Sequence, residues 1–198
     1  MGASFLAQNA GKQSVVLNLK DQGDRDRFLD LVASADVLVE NFRPGVMDRL
    51  GLGYASLKEV QPKLVYCAIS GFGHIWPMRG NPAHDQIVQG SSGIMSITGT
   101  PETAPLRVGY PVADTLGRVV GAFAVAAALV RQRSTGAGAF LDVSMLELAC
   151  CRFRGHDHRI VTKGLEITND ETEVQPRVQG RGCKAGDRAR RSGGASRP

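Results

Sequence analysis

Apolar and polar residues follow one another along the chain in short segments that predict strands alternating with helices. Four β-branched, apolar segments predict strands at Ser14–Leu19, Asp36–Glu40, Lys63–Ser70 and Phe140–Met145. Apolar residues at helical spacing predict helices at Asp21–Ser34, Val46–Leu50, Tyr54–Val60, His84–Met95, Pro111–Arg133 and Leu146–Cys150. This alternation indicates an α/β protein with a largely parallel, Rossmann-like sheet and flanking helices.

Two of these segments carry an expectation about burial. Ser14–Leu19 has the composition of a buried strand. Pro111–Arg133 has an almost continuous apolar run, which predicts a buried helix. The longest uninterrupted apolar run, Val119–Val130, has 12 residues, whereas a membrane span needs about 20. The pattern therefore predicts a protein without a membrane span.

Charge separates the chain into two parts at about residue 151. Residues 152–198 carry 11 Lys and Arg against 6 Asp and Glu, which leaves 13 of each sign in residues 1–151. The predicted domain is therefore neutral, and nucleic acid is not an expected partner. Residues 152–198 lack a sustained period of 2 or 3.6, and we expect a basic tail of low order.

The cysteines and histidines give no metal motif. The four cysteines form no CxxC pair, so we expect buried thiols in a reducing, cytoplasmic environment and no bound metal. Cys67 lies in an apolar segment, and Cys150 and Cys151 are adjacent.

Asp114 begins the long predicted helix and has two interpretations. A carboxylate at a helix N-terminus is stabilised by unpaired N–H groups and by the helix dipole. The same carboxylate is placed to act as a nucleophile or base in a cleft. The residues alone leave both interpretations open.

Several motifs occur in an order that resembles the family III CoA-transferases, the group of formyl-CoA transferase and carnitine CoA-transferase. The matches are dense from about Asn9 to Glu147 and include ENFRPG, SGFG, MSITG, VAD at the helix start, and the STGAG turn. The resemblance implies that residues 1–151 correspond to part of the family's large domain, at about half the family's length and truncated at both ends. Residues 152–198 are expected to be unlike the family.

The resemblance implies an enzyme that moves CoA from an acyl-CoA to a carboxylic acid. Asp114 occupies the place of the family's nucleophile, which forms an aspartyl anhydride and then an aspartyl-CoA thioester. The implied partners are CoA, acyl-CoA and carboxylic acid substrates, together with a second copy of the chain, since the family forms homodimers. No metal is implied.

The family's CoA contacts carry over to two parts of this sequence. The first part supplies Leu17, Asn18, Lys20, Asn41, Phe42, Arg43 and Arg49, and the second supplies His84 and Asp85. An Arg near a loop end suits a phosphate, and Phe42 suits the adenine ring. Arg49 pairing only with Asp48 or Asp21, and Phe42 serving only as core, remain alternatives.

One departure from the transferase pattern favours a different reaction. Transferases usually have Tyr where His84 stands, and His-Asp at this place resembles the α-methylacyl-CoA racemases. In that family a histidine and an aspartate exchange a proton at the α-carbon, and His84 precedes Asp114 by the matching 30 residues. A racemase-type proton transfer, and an inactive fragment or CoA-binding remnant, therefore stand as alternatives to CoA transfer.

Overall fold

The computed structural model of the chain describes residues 2–151. Within this range the strands are β1 (Val37–Glu40), β2 (Val65–Ser70) and β3 (Ala139–Ser144). The helices are α1 (Ala3–Gln8), α2 (Gln22–Ala33), α3 (Val46–Arg49), α4 (Tyr54–Val60), α5 (Asp85–Ser91), α6 (Val112–Thr135) and α7 (Met145–Cys151), with a 3₁₀ helix at Ile94–Ile97. The predicted tail, residues 152–198, lies outside the described residues.

The strands form one sheet in the order β1-β2-β3. β1 and β2 are parallel, with Val37 opposite Val65 and Glu40 opposite Ala68. β2 is buried along almost its whole length, which is typical of a central strand covered on both faces. The sheet and its helices confirm the predicted α/β class.

The described residues divide into two compact units. The first comprises the residues up to Ala68 together with Ala122–Leu141, and the second comprises Ile69–Gly121 together with the described residues from Asp142 onward. Each unit has its own apolar core.

The core of the first unit gathers under β2 and the short helices. Its buried residues are Val32, Met47, Leu52, Leu57, Leu64, Tyr66 and Ala68. The rings of Tyr54, Tyr66 and Phe140 pack together with centroids 5.5–5.9 Å apart. Burial, followed by the negative charge of Glu40, raises the pKa of the Tyr66 hydroxyl. Tyr66 is therefore a neutral, fully packed part of this core.

The core of the second unit lies between α5, α6 and α7. It consists of Val88, Ala113, Met145 and Ala149, with Ile69, Ala83 and Leu146 packed against it. Gly117 permits this packing, because a Cβ at this position would lie 3.2 Å from Cγ of Met145. Trp76 joins the same unit through its indole Nε1, which donates a hydrogen bond of 2.9 Å to Glu147 Oε1.

The strand predicted at Ser14–Leu19 is wrong. The segment has no regular secondary structure, and Val16 is 94% exposed. No neighbouring strand pairs with it within the described residues, so its β-branched residues have neither a ladder nor a face to cover. Composition alone predicted a strand, but a strand also needs a partner.

The long helix was predicted correctly, but its burial was not. α6 spans 24 residues, yet its apolar positions at helical spacing stay in solvent at Val119, Phe123 and Val130. Phe123 is 75% exposed. An apolar run predicts what a helix is able to bury, whereas the neighbouring elements decide which of its faces are covered.

α6 also meets the length and composition criterion for a membrane span. It is the one helix among residues 2–151 that does so, and 28% of its most apolar window is buried. The core helix of a soluble protein can meet the same criterion. The absence of a membrane span therefore stays a prediction.

The helix predicted at His84–Met95 divides into α5 and the 3₁₀ helix. Gly93 separates them with φ of 82°, a left-handed conformation that ends an α-helix without a steric penalty.

The two cysteines of the described residues differ in burial. Cys67 is buried as predicted, whereas the prediction is wrong for Cys150, which is exposed on the last described helix.

Candidate active site

The first turn of α6 carries the predicted nucleophile, Asp114. The turn begins just after Pro111, whose carbonyl accepts hydrogen bonds from the Thr115 amide (3.0 Å) and the Thr115 hydroxyl (2.7 Å). Asp114 is exposed on this turn. Its carboxylate therefore lies at the positive end of the helix dipole and within reach of solvent molecules.

Asp85 accepts hydrogen bonds from two backbone amides of the same turn. The Asp85 side chain is buried, with 7% of the residue exposed. Its Oδ1 accepts hydrogen bonds from the backbone N–H of Ala113 (2.8 Å) and of Asp114 (3.2 Å). Amides in the first turn of a helix have no partner within the helix, so Asp85 satisfies two of these donors.

The surroundings of Asp114 raise the pKa of its carboxyl group. Loss of water around the carboxyl makes the largest contribution, and the negative charge of Asp85 adds to it. The positive charge of Arg118 and that of His84 lower the pKa and offset part of the rise. A carboxylate with a raised pKa is more basic and more nucleophilic in its ionised form.

His84 is the residue immediately before α5. It is exposed, its backbone is extended, and its carbonyl accepts the amides of Ile87 (2.9 Å) and Val88 (3.1 Å). Its charge acts on Asp114, so the structure brings together three of the predicted site residues, His84, Asp85 and Asp114.

In the first unit, Leu17, Asn18 and Lys20 lie in a turn that leads into α2. The Asn18 amide donates to Asp24 Oδ2 (2.8 Å), and the Lys20 amide donates to Asn18 Oδ1 (3.2 Å). Leu17 is half-buried, whereas the side chains of Asn18 and Lys20 are exposed. The turn therefore presents a lysine and an amide to solvent on a backbone fixed by hydrogen bonds.

Asn41, Phe42 and Arg43 follow directly after β1. The Phe42 amide donates a hydrogen bond of 2.6 Å to the buried Glu40 carboxylate. Phe42 is 48% exposed, so the alternative that it serves only as core is wrong. Ligands of α/β proteins bind beyond the carboxyl ends of the strands, and these residues lie at that end of β1.

Arg49 lies at the end of α3 in the same unit. Gly45, at the start of this helix, has φ of 81°, and a Cβ there would lie 3.3 Å from Nη1 of Arg49. No carboxylate among residues 2–151 pairs with Arg49, so the alternative of an ion pair with Asp48 or Asp21 is not met there. Its guanidinium is exposed, with no ion pair to another described residue.

A family model described as CoA-transferase family III matches residues 1–177 of the chain. The chain belongs to this family. It is 52% identical over 144 residues to the acetyl-CoA:oxalate CoA-transferase of Acetobacter aceti, which covers 72% of this chain and 37% of that protein. It is 40% identical over 177 residues to the succinate–glutarate CoA-transferase of Agrobacterium fabrum, covering 88% and 44%.

A solved structure of a CAIB/BAIF family protein from Brucella suis has the same fold. It superimposes with a TM-score of 0.74 at 32% identity, covering 86% of this chain and 43% of that one. This family III chain thus spans less than half the length of the relatives it matches. The family match also continues past Arg152 into the segment predicted as a tail, which lies outside the described residues.

One buried residue beside Asp85 was not predicted from the sequence. Gln89 is 1% exposed and binds Asp85, so it belongs to the hydrogen bonds that hold Asp114. A signal was present, because Asp85 and Gln89 stand four residues apart and such pairs meet on one helix face. The spacing alone does not reveal what else Gln89 binds.

Proposed function

We propose that this chain contributes the nucleophile and part of the CoA site of an acyl-CoA:carboxylate CoA-transferase. The observation that supports the proposal most is the carboxylate of Asp114, exposed at the start of α6, with a raised pKa and a backbone held by Asp85. Such a carboxylate is positioned and activated without a base of its own.

In the proposed reaction, Asp114 attacks the carbonyl carbon of the donor thioester. The C–S bond breaks, CoA leaves as a thiolate, and a mixed anhydride forms on Asp114. The thiolate then attacks the aspartyl carbonyl, which expels the donor acid and gives an aspartyl-CoA thioester. The acceptor carboxylate displaces CoA to form a second anhydride, and the thiolate attacks its acyl carbonyl to release the new acyl-CoA and free Asp114.

Each of these steps exchanges one activated acyl bond for another of similar energy, so ATP is not required. Water is the competing nucleophile, since it hydrolyses the anhydrides and the thioester. The raised pKa of the Asp114 carboxyl makes the attacking carboxylate more nucleophilic.

For CoA itself we propose the exposed polar groups of the first unit. Lys20, Arg43 and Arg49 supply positive charge for the phosphates, and the planar forks of the two arginines suit bidentate binding. Asn18 and Asn41 supply amides, Leu17 an apolar contact, and the exposed ring of Phe42 a surface for the adenine.

For the acceptor we propose a short dicarboxylic acid. The names of the relatives include oxalate, glutarate, succinate and mesaconate as the acids of their reactions. The test is to incubate the protein with acetyl-CoA and oxalate, glutarate or succinate, and to separate the CoA esters by chromatography. A new ester that needs both substrates is expected.

The role of Asp114 is tested in the same assay. Asp114→Ala is expected to abolish the new ester, whereas Asp30→Asn, which removes an exposed carboxylate of α2, retains it. Borohydride added during turnover reduces the aspartyl thioester to an alcohol, which a mass spectrum locates at position 114. Ester formation by Asp114→Ala would overturn the assignment of the nucleophile.

A thermal melt separates binding from turnover. A ligand at 100 times its dissociation constant stabilises the folded protein by about 2.7 kcal/mol, so CoA is expected to raise the melting temperature. A shift without turnover would make the chain a CoA-binding part of the family fold. If CoA gives no shift of the melting temperature and the chain shows no turnover, the proposed function is overturned.

The charge of His84 on Asp114 supports racemase-type proton transfer as a second candidate function. Here His84 and Asp114 would remove and return the α-proton of a 2-methylacyl-CoA. The test is incubation in D₂O, in which this activity incorporates deuterium at the α-carbon and His84→Ala abolishes it. CoA transfer without deuterium incorporation decides for the transferase.

A further inference from the structure

Gln89 is a buried amide whose hydrogen bonds run to three different places in the second unit. Its Nε2 donates to Asp85 Oδ2 at 2.5 Å and to the Tyr110 carbonyl at 3.4 Å. Its Oε1 accepts the Val108 amide at 2.8 Å. The Gln89 side chain thus connects α5 to Val108 and Tyr110, which lie shortly before the start of α6.

The partners of Gln89 fix the orientation of its amide. The Asp85 carboxylate and the Tyr110 carbonyl only accept hydrogen bonds, so both require the NH₂ group of Gln89. The Val108 amide only donates, so it requires the oxygen. A glutamate at position 89 would place a second carboxylate against Asp85 and against the Tyr110 carbonyl. Glutamine satisfies all three partners, and glutamate does not.

Gln89 also fixes Asp85. Because Asp85 Oδ2 is held by Gln89, Oδ1 is left to accept the amides of Ala113 and Asp114. A carboxylate free to rotate would lose alignment with one amide or the other. The order of contacts is therefore Gln89 to Asp85 to the first turn of α6.

We propose that Gln89 is a positioning residue that acts through Asp85 to set the orientation of Asp114. Its structural consequence is an ordered first turn of α6. Its consequence for turnover rests on the proposed function, since a misplaced Asp114 carboxylate reacts more slowly once substrate is bound.

The experiment measures amide hydrogen exchange of Ala113 and Asp114 by NMR in the full chain. Gln89→Glu is expected to speed exchange at both amides by about tenfold, because the start of α6 then opens locally. Amides in the middle of α6, such as that of Ala128, are expected to keep their rates. Gln86→Glu is the matched control, because it introduces the same charge at an exposed position of the same helix.

A double variant that exchanges the carboxylate and the amide of positions 85 and 89 tests whether the exchange rates recover. In Asp85→Asn/Gln89→Glu, the asparagine NH₂ donates to the new carboxylate, and the asparagine oxygen still accepts the amides of Ala113 and Asp114. The weaker hydrogen bond to the Tyr110 carbonyl stays lost, so the recovery is expected to be partial. The double variant is expected to bring both exchange rates back toward wild type, whereas Asp85→Asn alone does not. If Gln89→Glu does not fold, the comparison of Asp85→Asn with the double variant decides in its place.

Unchanged exchange at both amides in Gln89→Glu, or no rescue in the double variant, overturns the proposal. Where the chain turns over, Gln89→Glu is also expected to lower kcat per active site more than it raises KM, with the active sites counted as borohydride-reduced Asp114. A merely structural defect lowers the number of these sites and leaves kcat per site unchanged. Exchange results as expected in a chain without turnover support the positioning role and count only against the proposed function.

Discussion

Around Asp114 the polar side chains bind one another, whereas around Arg49 they face solvent with few partners. In the second unit, Asp85 and Gln89 are buried and satisfy backbone groups before any ligand arrives. In the first unit, Arg43, which follows β1, and Arg49, at the end of α3, are exposed. A reacting group must be oriented before the substrate binds, whereas binding groups gain their partners from the ligand.

The comparison predicts that the buried group around Asp85 stabilises the fold. Asp85→Ala leaves the amides of Ala113 and Asp114 and the NH₂ of Gln89 without their acceptor, and we expect a loss of about 3 kcal/mol. Urea denaturation followed by circular dichroism measures it. Asp30→Ala, which removes an exposed carboxylate, is the control and is expected to change stability by less than about 0.5 kcal/mol. Equal effects of the two substitutions would contradict the contrast.

The exposed arginines are expected to show the opposite behaviour. Arg43→Ala and Arg49→Ala should each weaken CoA binding about tenfold while leaving the urea midpoint unchanged, because a charge-assisted hydrogen bond forms only with the ligand. Calorimetric titration with CoA measures the affinity. Arg49→Lys should bind with intermediate affinity, since it keeps the charge but loses the planar fork.

Arg133→Ala serves as the control for these two variants, because Arg133 is an exposed arginine of α6 outside the proposed CoA site. An equal loss of affinity in Arg133→Ala would indicate a general effect of net charge. It would remove the support for a phosphate site at Arg43 and Arg49.

A smaller effect is expected at Phe42. Phe42→Ala should weaken CoA binding about fivefold through the loss of ring stacking on the adenine. Titration with pantetheine, which lacks the adenine, should give the same affinity for both proteins. A loss that is equal for CoA and pantetheine would show that Phe42 does not bind the adenine.

The smallest effect concerns the pH dependence of stability. The folded state raises the pKa of the Asp114 carboxyl, so it retains this proton after the unfolded chain has lost it. Stability from this group is therefore fully present at low pH and falls as pH rises through the folded pKa. Asp114→Asn should remove that fall, which urea midpoints measured from pH 3 to pH 7 would detect. A steeper fall in Asp114→Asn would reverse the sign of the argument.

The sequence was sufficient to predict the α/β class, the strands at 37–40 and 65–70, and the two elements that carry Asp85 and Asp114. These features depend on local periodicity, whereas the division of the predicted helix at Gly93 was not predicted. The segment at 14–19 was predicted wrongly, because its composition does not tell whether a neighbouring strand is present. The exposure of Phe123 was missed for the same reason, since an apolar helix face is buried only where another element covers it.

The role of Gln89 needed the structure. Its partners Val108 and Tyr110 lie 19 and 21 residues further along the chain, in a segment without regular secondary structure. No periodic pattern predicts that such a segment returns to α5. The resemblance to a family supplied Asp114, whereas the contacts that hold it became visible only in three dimensions.

The place of Trp76 in the second unit, where it binds Glu147, has a practical consequence for spectroscopy. Trp76 is the only tryptophan in the chain, so indole fluorescence excited at long wavelength originates from the second unit alone. Tyr66, buried in the first unit, absorbs but does not contribute to that emission. Fluorescence recorded during denaturation therefore reports on the second unit, whereas circular dichroism reports on the helices of both units. Coincidence or separation of the two transitions measures how cooperatively the two units unfold.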